Sequence, residues 1–164
     1  MIICDTREQK NQHILKYFDE HNIEYKIAKL DEGDYKLVSN DSLVVDRKQN
    51  LQEVAQNVCQ GHDRFVRECL RCIDKGEKLV VLIEEEKIGC LADVPKWYNF
   101  RRRFSPRAIT GKRLWKIMST MRDEYKIDWE FAKREDFPKR LLEILGGDEM
   151  GCGGKKKGGK KKGK

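Results

Sequence analysis

The chain has 164 residues, with 35 lysines and arginines against 28 aspartates and glutamates, for a formal net charge of +7. The excess lies at one end: residues 151–164 hold seven lysines and no acid, so residues 1–150 are formally neutral. That balance excludes a general polyanion-binding body, and any nucleic-acid surface has to be a local patch.

At this length one domain is expected, with enough chain to bury a real core. No apolar run approaches the roughly 20 residues of a membrane helix. The start, Met1-Ile2-Ile3-Cys4-Asp5, lacks the basic segment and long apolar stretch of a secretory signal. Six scattered cysteines suit a reducing compartment. The reading is a soluble, intracellular protein with no membrane partner.

Ile2–Cys4 is a short apolar run ending in charges, as in a buried strand. Asn11 precedes a helix over 12–21 with Ile14, Tyr17, Phe18 and His21 on one face. Tyr25-x-Ile27 and Leu30 suggest a strand. Tyr35–Val38, the turn Ser39-Asn40-Asp41-Ser42 and Leu43–Lys48 read as a hairpin. Asn50 caps a second helix, with Glu53 three residues on and the stripe Leu51, Val54, Ala55, Val58, Cys59. A third helix runs from about 63 to 75 and stops at Gly76. Leu79–Ile83 is a continuous apolar run, which suits a central strand covered on both faces.

Residues 86–109 mix Trp97, Tyr98, Phe100 and Phe104 with arginines and show no clear period. Thr110 then caps a helix carrying Leu114, Trp115, Met118, Met121 and Tyr125. Ile127-x-Trp129-x-Phe131 alternates as a late strand. Asp136 and Pro138 open a last helix through Leu145, ended by Gly146-Gly147. This alternation argues an α/β layer fold with a mixed sheet, a domain over 1–145 and a flexible Gly/Lys-rich tail over 146–164. The tail is either a solubilising segment or a polyanion contact.

Cys59-x-x-His62 followed by Cys69-x-x-Cys72 has a zinc-like look. Phe65, Cys69 and Cys72 nevertheless fall at i, i+4 and i+7 on one helix stripe, where cysteine packs as a small hydrophobe. Packing is the preferred reading, since finger and ribbon spacings are missing.

The chemistry concentrates in three acidic stretches: Asp5-Thr6-Arg7-Glu8, Gly33-Asp34-Tyr35 and Val45-Asp46-Arg47-Lys48. If Ser39 pairs with Ser42, Asp34 faces Arg47, with Asp46 and Lys48 as diagonal neighbours within reach of one shared cation. Strand alternation sends Asp46 and Lys48 to one face and Arg47 to the other. Asp5 and Glu8 leave the carboxyl end of the first strand, where ligands gather in α/β sheets. Asp5 is therefore placed near Asp34 and Asp46, with Glu8 as an outer member. Crowded carboxylates oppose one another's ionisation, and a magnesium or manganese ion relieves that repulsion. Lys48 adds a cation on the same face, able to orient water or to stabilise charge on a phosphate.

The ordered set Asp-x-Arg-Glu, Gly-Asp-Tyr, Val-Asp-Arg-Lys resembles the XPF/Hef-type nuclease domain, a branch of the PD-(D/E)xK restriction-endonuclease-like superfamily. Arg64-Phe65, the strand Leu79–Glu84 and Ile109-Thr110-Gly111 look like later segments of the same family, so the resemblance covers roughly 1–145. It implies a mixed central sheet flanked by helices and Mg2+- or Mn2+-dependent cleavage of DNA at branches, flaps or single-strand/double-strand junctions. By match, Asp5, Glu8, Asp34, Asp46 and Lys48 are catalytic, with Asp5, Asp34 and Asp46 on the metal. Arg7 and Arg47 match arginines near the scissile phosphate, and Arg64 matches a later basic position. Family nuclease domains commonly pair, which extends the expectation to a homodimer.

Two departures stand out. The familiar eukaryotic motif has Glu-Arg-Lys where this chain has Asp46, which still offers two oxygens. Many relatives also carry tandem helix-hairpin-helix modules after the nuclease, and nothing of that size fits after Leu145. The rival reading is a catalytically inactive DNA-binding or scaffold module of the same fold. A receiver-like acidic pocket is more distant, because it leaves Asp46-Arg47-Lys48 unexplained.

Trp97–Arg107 offers rings for unpaired bases and guanidinium groups for phosphates, with a buried core role for the rings as the equal alternative. On the DNA-contact reading, changing Arg101, Arg102 and Arg103 to alanine weakens DNA binding and flattens its salt dependence, because fewer counterions are released. A salt titration of affinity with an unchanged slope removes these three arginines from the interface.

Overall fold

A computed structural model describes residues 1–146. Among them six strands form one mixed sheet in the order β2-β1-β3-β4-β5-β6. They are β1 (Ile2–Cys4), β2 (Tyr25–Ile27), β3 (Tyr35–Leu37), β4 (Asn40–Lys48), β5 (Lys78–Glu84) and β6 (Asp128–Ala132). β1 runs parallel to β2 and antiparallel to β3, and β3 is antiparallel to β4. β4, β5 and β6 are mutually parallel in sequence order. The mixed α/β sheet flanked by helices is the architecture expected from the sequence.

Five helices cover the sheet: α1 (Gln12–Glu20), α2 (Leu51–Cys59), α3 (His62–Asp74), α4 (Gly111–Tyr125) and α5 (Phe137–Gly146). The period-2 alternation of the strands splits the core into two layers. Val44, Val81, Ile83, Trp129 and Phe131 pack with Val54, Val58, Phe65, Cys69, Leu114 and Met118, from α2, α3 and α4. Ile2, Tyr35, Val45, Val80 and Leu82 pack on the other face with Ile14, Phe18, Phe137 and Leu141, from α1 and α5. Burial on both faces is why Leu79–Ile83 reads as an unbroken apolar run. Cys69 and Cys72 lie in the core, as their helical spacing predicts.

Helix caps follow the expected chemistry in two places and depart in a third. Asn50 Oδ1 accepts the Glu53 N–H at 2.9 Å, and Glu53 reaches back to the Gln49 N–H at 2.8 Å. Thr110 Oγ1 accepts the Arg113 N–H at 3.2 Å. Asn11 stands at the start of α1 but makes no side-chain cap. Its amide is buried and donates to the Tyr35 hydroxyl at 3.1 Å instead, tying α1 to β3.

The hairpin register differs from expectation. The turn is Val38-Ser39, with Leu37 opposite Asn40, and the register then shifts so that Lys36 faces Val44 and Tyr35 faces Val45. A bulge in β4, rather than a four-residue turn, absorbs the extra residues. Continued by one residue, this register sets Asp34 beside Asp46 instead of opposite Arg47.

The aperiodic stretch forms two short 3-10 turns, Leu91–Lys96 and Phe100–Arg103. The Gly/Lys-rich tail lies outside the described residues beyond Gly146, which itself closes α5. No helix among the described residues is long and apolar enough to cross a membrane.

The amino end of α4 rests directly on the first 3-10 turn. A methyl group on Gly111 would lie 2.5 Å from the Trp97 carbonyl oxygen and 2.6 Å from that of Val94, both backbone. Glycine to alanine in a helix ordinarily stabilises by about 0.5–1 kcal/mol. Here overpacking against a backbone that cannot yield outweighs that gain. Gly111→Ala is expected to lower unfolding stability by about 1–3 kcal/mol, read from the urea midpoint; a neutral or stabilising effect would contradict this packing.

Candidate active site

The carboxyl ends of β1, β4 and β5 and the amino end of β3 meet at one edge of the sheet. There Arg7, Glu8, Gln9, Lys10, Asp34, Asp46, Arg47, Lys48, Gln49 and Glu53 line a cleft of about 320 Å3. Gly33 makes the approach to β4. Its φ is +68°, and a side chain there would meet the Val44 side chain and, at 3.0 Å, the Val45 carbonyl oxygen. With glycine in place, the Asp34 N–H donates to the Val45 carbonyl at 2.8 Å, and the Arg47 N–H donates to Asp34 Oδ2 at 2.8 Å.

Burial, followed by the charge of neighbouring Asp46, pushes the Asp34 carboxyl up to about 9. Asp34 therefore keeps a proton at neutral pH unless a cation replaces it. Asp46 is buried, and its Oδ2 has no hydrogen-bond partner among the described residues. Lys48 Nζ sits 2.9 Å from that oxygen as an ion pair. Burial opposes the Lys48 charge, but the Asp46 carboxylate more than offsets it and holds the lysine above its usual range. Lys48 is thus a permanent cation and donor, not a base.

The sequence expects Asp5 to share this cleft. The structure places it just behind the wall. Its Oδ1 accepts the Leu30 N–H at 2.8 Å, and its Oδ2 accepts Arg7 Nε at 2.6 Å. Burial raises its carboxyl, and those two donors outweigh burial and hold it low. The Asp5 N–H donates to the Asp34 carbonyl at 2.8 Å, so Asp5 braces the strand that presents Asp34. Among the described residues no three His, Cys, Asp or Glu side chains converge as a ready ligand set. Two adjacent carboxylates, one of them ion-paired to Lys48, nevertheless suit an ion that keeps several waters in its shell, as magnesium does.

Arg47 also takes a different post from the phosphate contact expected of it. Alternation turns its side chain to the far face of β4, where 2% of it is exposed. It donates to Glu8 Oε1 at 3.0 Å, lies 3.6 Å from Glu84 Oε1 and stacks over the Phe137 ring at 5.5 Å. Its Nε has no partner among the described residues. Burial raises the Glu8 carboxyl, and Arg47 pulls it part of the way back.

The remaining basic candidates are dispersed. Arg7 is largely exposed at the cleft mouth. Arg64 is exposed on α3, and Arg101 and Arg103 are exposed on the second 3-10 turn. Arg102 donates to the Pro106 and Ala108 carbonyls, so its guanidinium organises the loop.

Two groups escape the sequence reading. Glu68 on α3 accepts the Gly33 N–H at 3.4 Å. Burial raises its carboxyl, as does the charge of Asp46, with Lys48 opposing. Its only sequence signal is its position beside the Phe65–Cys69 stripe. Glu84 ends β5 and is shared by His13 at 2.9 Å, Arg47 at 3.6 Å and Arg134 at 3.3 Å. An acid closing an apolar central strand is visible in sequence by the same carboxyl-end rule that marks Asp5.

The mixed sheet thus gathers Asp34, Asp46 and Lys48 at its carboxyl edge. The ERCC4 domain model matches residues 4–131, and the chain belongs to that family. Among solved structures it is similar to XPF from Aeropyrum pernix, at 20% identity and a TM-score of 0.62 over 87% of this chain and 63% of that one. It is also similar to XPF from Aeropyrum pernix in complex with DNA, at 20% identity and a TM-score of 0.61 over 87% and 60%. The chain therefore spans less than two thirds of either structure's length, and the likeness is one of fold. No curated protein sequence matches the chain.

The raised Asp34 carboxyl has a consequence for metal-free protein. The folded state holds a proton that the unfolded chain releases near 3.8, so folding stability declines as pH rises from about 4 to 9. Asp34→Asn, which keeps an acceptor for the Arg47 N–H, is expected to remove that component, worth at most about 1.4 kcal/mol per pH unit. Thermal melts of both proteins across this range check it: parallel pH profiles would show that Asp34 holds no such proton.

Proposed function

We propose that this domain hydrolyses phosphodiester bonds in DNA with a magnesium or manganese ion held by Asp34 and Asp46. The observation that carries the reading is the forced pairing of these carboxylates, with the buried Asp46 Oδ2 left without a hydrogen bond beside Lys48. The family membership and the likeness to XPF in complex with DNA support DNA as the substrate. Branched, flap or junction DNA is the preferred form on the family resemblance.

When bound, the ion activates water and neutralises charge on the phosphate. Asp34 and Asp46 would hold it, Asp34 in its ionised form. Lys48, kept charged by Asp46, donates toward the attacking water or a non-bridging phosphate oxygen. Asp5 acts at one remove: with Arg7 and Leu30 it fixes the backbone that presents Asp34. Glu8 and Arg47 stiffen the cleft wall from the far face of β4. Arg7 and Lys10, exposed at the mouth, are placed to meet DNA phosphates.

The test pairs wild type with Asp46→Asn on labelled duplex, flap and fork DNA, with magnesium, manganese or a chelator. Wild type is expected to cut only with metal, and Asp46→Asn to bind DNA while cutting at least about 100-fold more slowly. Binding by both proteins with no cutting in any metal would replace the nuclease with a DNA-binding scaffold.

A further inference from the structure

The cleft continues into a longer trough. Gln9, Lys10, Arg47 and Gln49 are shared between the cleft and a neighbouring hollow that adds Gln12, Asn50, Glu84 and Arg134. Gln49, Asn50, Glu84 and Arg134 then line a third hollow that ends at Lys96, Trp97 and Tyr98. The acids along this path are largely committed: Glu84 to His13, Arg47 and Arg134, Glu85 to the Leu51 N–H, and Glu86 to the Arg134 N–H.

Beyond Tyr98 the chain makes a stapled loop. Buried Asn99 donates to the Ile109 carbonyl at 2.9 Å and accepts the Arg101 N–H at 3.0 Å. Arg102 closes the interior on the Pro106 and Ala108 carbonyls. This built loop turns its rings outward: Tyr98, Phe100 and Phe104 are 60%, 56% and 81% exposed. Phe100 and Phe104 sit 5.9 Å apart edge to face, and Arg103 lies 4.7 Å over Phe100. Residues 99–109 contain four arginines and no acid, in a body whose charges balance only as a whole.

We infer that Tyr98, Phe100 and Phe104 form a stacking ledge for unpaired bases of a DNA strand that leaves the cleft along this trough. The inference rests on the nuclease reading and specifies its substrate as DNA with a single-stranded flank. Unpaired bases expose faces to a protein ring, while bases inside a duplex cover theirs on each other. The arginines around the rings match the strand's phosphates. A second copy of this chain is disfavoured as the occupant, because it would set two patches of four arginines against each other.

The test reads binding without cleavage, using full-length Asp46→Asn and a duplex with or without a 2-aminopurine-containing single-stranded flank of either polarity. Expected are a higher affinity for one flanked duplex than for the blunt one and quenching of 2-aminopurine. In the Tyr98→Ala/Phe104→Ala variant the ratio of flanked to blunt affinity falls roughly fivefold or more, and the quenching is lost. Circular dichroism melts confirm that the exposed substitutions leave the fold intact.

A ratio of one in the unsubstituted ledge, or a ratio unchanged by the substitutions, overturns the inference. So does loss of a dimer on gel filtration with no change in the ratio, which would make the ledge an interface between copies. A ledge-dependent ratio in a protein whose wild type never cuts would sink the nuclease reading and leave the ledge standing.

Discussion

The structure turns on one enforced proximity: two carboxylates held side by side at the mouth of β3 and β4. Nothing about Asp34 and Asp46 favours their meeting. Burial and mutual repulsion both oppose it, as the raised Asp34 carboxyl records. The surrounding fold overcomes that opposition. β4 is central, paired on one side with β3 and on the other with β5, and apolar layers cover both faces of the sheet. Gly33 removes the one side chain that would block the approach. Asp5, locked between Leu30 and Arg7, holds the neighbouring strand in place. A site of this kind carries an electrostatic cost that the core has to offset.

The ion pairs around the site divide by face, and strand alternation is the reason. Asp46 and Lys48 point into the cleft together, so the lysine is charged where a phosphate would need a donor. Arg47 between them points the other way, into Glu8, Glu84 and Phe137. The triplet Asp46-Arg47-Lys48 thus combines a chemical face and a structural face in three consecutive residues. An arginine is suited to the structural side, because its planar fork can serve two carboxylates and stack on a ring at once. The Glu84 cluster extends this support to α1 through His13 and to the segment after β6 through Arg134.

Much of this was legible in the sequence, and the failures share a cause. Apolar runs and helical stripes located β1, β5 and the five helices, because each signal is local and each element buries a face. Asn50 and Thr110 declared their helices through cap chemistry that operates within three residues. The β3–β4 register was not legible. It depends on a bulge, and nothing in Ser39-Asn40-Asp41-Ser42 distinguishes a four-residue turn from a two-residue turn followed by a bulge. The slip of one position brought Asp34 closer to Asp46 than expected. Asp5 carried the right motif for a ligand, but one donor that occupies it, the Leu30 N–H, arrives from 25 residues away, and its local partner Arg7 reads as a phosphate contact. Glu68 reaches the site from a helix more than twenty residues downstream of Asp46. Its contact with Gly33 is a tertiary fact.

On the proposed nuclease reading, the charge distribution sets how the domain would meet DNA. A balanced body has no broad positive field to draw a polyanion toward an acidic cleft. Attraction has to come from short range, from Arg7, Lys10 and Lys48 at the cleft and from the arginines of residues 99–109 at the far end of the trough. Two separated basic spots joined by a channel of mixed charge favour a ligand that spans them over one that touches either alone. A flexible strand can bend to satisfy both, and a rigid blunt duplex has no free bases for the aromatic end. On the proposed reading the geometry would discriminate by shape more than by sequence, since phosphates and base faces are common to every DNA.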